Sequence, residues 1–142
     1  MEKKQRIAAW LSSGAYAVSF ALPANIVEFK GASVTVPGWQ AAVMSFAVPD
    51  ADFGSLPKRV SYVLLACPAN VLMILGIFLL LRGRTRWTPW LLGYAVLGQL
   101  YWLTGVVLST MKIGYWLWLV SGIFLFALSL AARKSSPHPS QA

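Results

Sequence analysis

Read for polarity alone, the chain sets long uncharged runs between short charged punctuation. Residues 7–27, 60–81, 87–110 and 113–132 contain no Asp, Glu, Lys or Arg. Apolar runs of about 18 residues or more read as membrane spans, and at roughly 1.5 Å per residue each run can cross a hydrocarbon core of about 30 Å. The pattern predicts an all-α integral membrane protein, with four transmembrane helices in an antiparallel bundle and no separate soluble domain. The connections "RGRTR" and "MKIG" are short, which makes the helices they join antiparallel neighbours. The tail, residues 133–142, is polar and proline-containing and is expected to be disordered.

Only the outer loop, residues 28–59, is substantial. Within it Trp39, Ala42, Val43 and Phe46 fall at i, i+3, i+4 and i+7, one face of a helix. A short interfacial helix over residues 39–48 is predicted, with Trp39, Val43 and Phe46 facing inward. Pro37 and Gly38 set its start and Pro49 its end. The preceding "ASVTV" has strand composition but no visible partner. Asp50 and Asp52, without further oxygen donors at calcium-loop spacing, read as solvated turn residues rather than a metal site.

Composition agrees with the runs. Hydrophobic residues make up 58% of the 142 and charged residues only 11%, against about 25% charged in soluble domains. The charges also orient the chain. Lys3, Lys4, Arg6, Arg82, Arg84, Arg86, Arg133 and Lys134 fall on one side of the predicted spans, and Lys30, Lys58, Arg59 and Lys112 on the other. That excess places both termini in the cytoplasm of a bacterial inner membrane, where the basic edge attracts anionic headgroups. The net charge of +8 thus points to the lipid bilayer as partner and not to nucleic acid. The basic start could also open a secretory signal peptide, but the run is long and Pro23 crowds the best cleavage point, after Ala21. Trp10, Trp87 and Trp90 are expected near the inner boundary, and Trp39, Tyr115, Trp116 and Trp118 near the outer one, as aromatic belts.

The chemistry inside the runs is sparse. Pro68 lacks an N–H, so the Leu64 carbonyl loses its helical donor and must find another in lipid; a helix kink is expected there. Ser19, Asn70, Gln99 and Ser121, one per predicted span, fall near a common mid-membrane depth. Adjacent antiparallel helices would let the Asn70 amide reach Gln99. Such groups either bind across helices as structural glue, the favoured reading, or line a site for a small ligand. Small residues Ala9, Ser13, Ala17 and Ala21 in the first run, and Gly98 and Gly105 in the third, are expected at helix contacts.

Cys67 is the only cysteine, so no intrachain disulfide or redox pair can form. No metal-ligand cluster, phosphate loop, dinucleotide motif or acid–base pair appears, so neither cofactor, metal nor enzymatic activity is expected. No carboxylate or histidine lies in a run, which argues against ion-coupled transport. The segments "GWQAA", "PAN" and "GYWLWLVSG" resemble a group of small four-span bacterial membrane proteins whose function is uncharacterised. The resemblance implies topology and bacterial origin but no activity. The expectation is a non-enzymatic binding or accessory role, as an immunity protein against a membrane-active toxin, as a complex subunit or as a homo-oligomer. The alternative is a transporter or channel for a small uncharged or lipidic molecule.

Overall fold

Pro23 divides the first uncharged run. In the computed structural model, which describes residues 3–29, 31–44, 56–84, 86–104 and 110–134, helix α1 (Lys3–Ser19) ends well before residue 27. Its end tightens through N–H bonds from Phe20, Ala21 and Leu22 to carbonyls three residues back. Pro23 has no N–H to continue the ladder, and the chain enters strand β1 (Pro23–Phe29). This strand pairs antiparallel with β2 (Ala32–Pro37), from Phe29 opposite Ala32 back to Pro23 opposite Pro37. Gly31, at φ 79°, makes the turn, a conformation that costs glycine nothing. The partner of "ASVTV" therefore lies inside the stretch expected to be helix. A charge-free run rich in β-branched residues reads either way by periodicity.

The hairpin is sewn to its surroundings by backbone bonds. The Gly38 and Trp39 N–H groups, opening the short helix α2 (Gly38–Met44), donate to the carbonyls of Leu22 and Phe20 at 2.9 and 2.8 Å. On its other edge Asn25 bridges to Met111, and the Lys112 N–H donates to the Ala24 carbonyl at 2.9 Å. Backbone polar groups released where α1 stops are thereby satisfied within the chain, as a site away from water requires.

The second uncharged run is continuously helical but not uniform. Helix α3 (Leu56–Ser61) leads into a π-helical turn over Tyr62–Ala66 and then into α4 (Cys67–Leu81). The Cys67 N–H reaches the Tyr62 carbonyl, five residues back. Widening to a π turn is one local adjustment by which a helix accommodates proline. Helix α4 closes with Gly83 at φ 73° and bonds from the Gly83 N–H to Leu80 and the Arg84 N–H to Leu79, the Schellman pattern. Helix α5 (Thr88–Tyr101) starts with Pro89 in its first turn and passes into a 3-10 turn at Trp102–Thr104, so its α-helical part is shorter than the expected 87–110. Helix α6 (Ile113–Lys134) is the longest.

The structure is mostly helical, and the segments Tyr62–Leu81 and Ile113–Lys134 are long and apolar enough to cross a membrane. Helices α1 and α5, of 17 and 14 residues, fall short of that length. Helix α4 packs on α5, α5 on α6, α6 on α1, and α1 more lightly on α4. Close approaches show the sense of these pairs: Gly76 meets Leu92 while Gly98 meets the Leu65 carbonyl, so α4 and α5 run antiparallel. Ala9, Leu80, Leu92 and Ala132 share one buried cluster, which brings the basic ends together. Lys3, Lys4, Arg6, Arg82, Arg84, Arg86, Arg133 and Lys134 are all exposed there. The acidic side among the described residues is Glu28 alone, on the hairpin at the other end.

Polarity is inverted relative to a water-soluble bundle. The interior holds Ser19, Asn70, Thr88, Gln99, Ser121 and Ser129 beside its apolar core. The exterior carries apolar stripes at helical spacing: Val71, Ile74, Leu75 and Phe78 on α4, Trp90, Tyr94 and Leu97 on α5, and Val120, Ile123 and Phe124 on α6. Ile74 and Phe124 are 59% and 60% exposed. Of the small residues on α1, Ala9 is buried, but Ala17 is exposed and Ala21 lies beyond the helix. Gly105 lies outside the described residues.

Candidate functional site

Asn70 sits on the first turns of α4, 7% exposed. Its Oδ1 accepts two hydrogen bonds, from the Tyr16 hydroxyl of α1 at 3.0 Å and from the Trp118 indole N–H of α6 at 3.2 Å. An indole nitrogen only donates, so the oxygen must face it and the amide nitrogen turns the other way. Each of the two donors is held by a serine three residues further on. Ser19 donates to the Tyr16 carbonyl at 2.6 Å and Ser121 to the Trp118 carbonyl at 3.0 Å. Of the four expected polar positions, Asn70 alone thus bonds across helices, to two aromatic residues, while Ser19 and Ser121 bond the backbone of their own helices.

Gln99 does not join it. Its side chain is fully buried against Gly122, and among the described residues neither its Oε1 nor its Nε2 has a hydrogen-bond partner. The expected pair with Asn70 is therefore replaced by the Tyr16–Asn70–Trp118 arrangement. Helix rotation explains the change: Asn70 meets side chains of α1 and α6, whereas the Gln99 amide lies against Gly122 of α6. The Gln99 backbone carbonyl is engaged instead, accepting from the Tyr115 hydroxyl at 2.9 Å.

At Pro68 the Leu64 carbonyl accepts a hydrogen bond from the Tyr94 hydroxyl of α5 at 2.5 Å. The surface helix differs from expectation. Residues 38–44 are helical, but Trp39 and Val43 are 58% and 62% exposed, and Ala41 and Ala42 turn inward. The interior beneath α2 accepts only small side chains, so the large apolar ones point out. Phe46 lies outside the described residues, as do Asp50, Asp52 and His138. Tyr115 and Trp118, expected in a boundary belt, turn into the protein, while Trp10, Trp87, Trp90 and Trp116 face out.

Above Asn70 lies a cavity of about 170 Å³. Asn70 and Trp118 form its floor, Trp102, Met111 and Tyr115 part of its wall, and the hairpin and α2 cover it through Ala24, Val36 and Ala42. Nothing in the uncharged runs signalled this cover. The spacing of Tyr16 to Ser19 and of Trp118 to Ser121 was the available signal for the cluster: a donor-bearing aromatic and a serine three apart on two different helices. Among the described residues, no group of three His, Cys, Asp or Glu side chains is placed to hold a metal ion. No protein-family model, curated protein or solved structure matches this chain.

Proposed function

We propose that this chain is a multi-pass protein of the bacterial inner membrane, crossing it four times with both termini cytoplasmic, and that its role is non-enzymatic binding or accessory. The observation carrying this reading is the inverted polarity: serine and amide side chains buried between helices, and Ile, Leu, Val and Phe stripes turned outward. An exterior of that kind is stable against lipid tails, whereas in water contiguous apolar patches of more than a few hundred Å² seek a partner. The basic residues gathered at one end suit the anionic cytoplasmic leaflet. α1 and α5, although short, carry the same outward apolar residues and complete the ring. Trp39 and Val43 extend the apolar exterior at the hairpin end and offer a contact for a membrane-embedded partner or a second copy.

A transporter or channel is the second reading, favoured by the cavity alone. No carboxylate, lysine, arginine or histidine is buried among the described residues to couple ion movement. Reporter fusions decide the topology. Fusions after Arg84 and after Lys134 should read cytoplasmic and one at Asp52 external. A cytoplasmic signal at Asp52 defeats the four-span arrangement. Reconstituted vesicles should show no flux of small neutral solutes above the lipid background, and saturable flux would favour the transport reading.

A further inference from the structure

We infer that the cavity beneath the hairpin is a binding site for a neutral, largely apolar group bearing one hydrogen-bond acceptor, such as a carbonyl oxygen. The inference deepens the binding role proposed above and rests on it for the setting in lipid.

Three observations converge on this chemistry. The first is the donor inventory of the wall. The Ser19 hydroxyl is spent on the Tyr16 carbonyl, the Tyr115 hydroxyl on the Gln99 carbonyl, and the Trp118 indole on Asn70 Oδ1. Asn70 Nδ2 has no partner among the described residues, and its residue is more than nine-tenths buried and lines the cavity. The two bonds to Oδ1 fix the amide so that this N–H₂ group is presented and cannot flip away. This nitrogen is not one of the fully buried unpaired side-chain atoms, which are those of Gln99, so it keeps access to the cavity that Asn70 lines, and an entering acceptor gives it a partner. Asn25, at the hairpin edge of the cavity, likewise uses its Oδ1 on the Ile26 N–H, and its Nδ2 and the Trp102 indole N–H are the other donors that the lining residues carry.

The second is charge. Among the described residues no charged side chain lines the cavity, and an ion entering it would find no opposite charge there to offset its lost hydration, which favours a neutral occupant.

The third is size. Cavities of about 150 Å³ hold benzene-sized molecules, whereas whole drug-sized ligands need roughly 300 Å³ or more. At about 170 Å³ the site takes a compact molecule or one end of a longer one. A free neutral carbonyl compound and the ester-bearing end of a lipid share this chemistry.

The test uses the full chain. Mass spectrometry of protein purified in mild detergent reports whether a lipid is carried. Equilibrium dialysis of labelled acetophenone and ethylbenzene, against protein-loaded and empty phosphatidylcholine nanodiscs, measures binding above partitioning. Acetophenone should bind saturably and about five- to tenfold tighter than ethylbenzene, the scale of one buried hydrogen bond. Ala42→Phe and Val36→Phe, which fill the cavity from α2 and from β2, should abolish it. Asn70→Leu combined with Tyr16→Phe and Trp118→Phe, which removes the two donors that Asn70→Leu alone would strand beside the cavity, should bring the ketone down to the hydrocarbon's level. A lipid retained near 1:1 by the wild type and lost from both filled variants identifies a lipid end as the occupant, and ketone binding without lipid identifies a free compound. Absence of both, equal affinity for the two probes, or a ketone preference surviving the triple variant overturns the inference. At least one filled variant must keep the wild-type unfolding temperature for the comparison to count. Because reporter fusions read topology independently, an empty cavity in a correctly inserted protein defeats the site and leaves the membrane reading standing.

Discussion

The Tyr94 hydroxyl donates at 2.5 Å to the carbonyl oxygen of Leu64, on the neighbouring helix. Leu64 is four residues before Pro68, so its carbonyl is the one that proline deprives of an α-helical donor. The missing bond is supplied by a side chain from α5. The same contact ties the π-helical turn to α5, beside the close approach of Gly98 to the Leu65 carbonyl.

Removing the hydroxyl should therefore be costly only while proline is present. Tyr94→Phe is expected to destabilise the protein by about 1–2 kcal/mol, measured as a shift in denaturant or thermal unfolding in micelles. In a Pro68→Ala background, where the N–H is restored, the same substitution should cost less than half as much. Equal costs in both backgrounds would show that Tyr94 acts through packing alone.

The two donors to Asn70 predict an ordered series. Tyr16→Phe and Trp118→Phe each remove one bond and should cost about 1 kcal/mol apiece, near the range for hydrogen bonds between membrane helices. Asn70→Leu strands both donors and should cost about 2 kcal/mol. Once Asn70 is leucine, Tyr16→Phe should cost nothing further. Additive losses in that double variant would contradict the shared bond.

Gln99 should behave in the opposite sense. Its amide is buried without a partner, so Gln99→Met, of similar length and without the polar atoms, is expected to stabilise by about 1 kcal/mol. A lowered unfolding temperature would mean that the amide has a partner, an ordered water included.

Two glycines predict alanine substitutions of contrary sign. A Cβ on Gly14, exposed on α1, meets nothing within 4 Å, and Gly14→Ala should stabilise by roughly 0.5–1 kcal/mol through helix propensity. A Cβ on Gly98 would strike the Leu65 carbonyl and, at 2.6 Å, the Ala69 methyl. Gly98→Ala should destabilise by about 1–3 kcal/mol. Matching signs in the unfolding data would refute this account of the α4–α5 contact.

Much of the core was readable from polarity. Ser19, Asn70, Gln99 and Ser121 stand out as uncharged polar groups in apolar runs, and all four are buried. Their partners were not readable, because helix rotation decides which side chain Asn70 meets, and periodicity is too coarse to separate Gln99 from Trp118. The hairpin was hidden because β1 begins inside a run whose length alone suggested one helix. The outward turn of Trp39 and Val43 was not readable, because periodicity places them on one helix face without saying which way that face turns. Here small residues, Ala41 and Ala42, occupy the inner face.

The bonds that hold the hairpin in place have a consequence for the order of biogenesis. Met111, Lys112 and Trp118 supply the outer edge of β1 and the second donor to Asn70, and they are synthesised long after the hairpin itself. In the membrane setting proposed above, the first helices would insert before then with the Ala24 carbonyl lacking its Lys112 donor and the cavity open on that side. Closure is thus a late, post-insertion event, dependent on delivery of α6. A chain stopped at Thr110 should expose the hairpin to added protease from the outer face, and the full chain should not. Protection in both would show that the hairpin docks before α6 arrives.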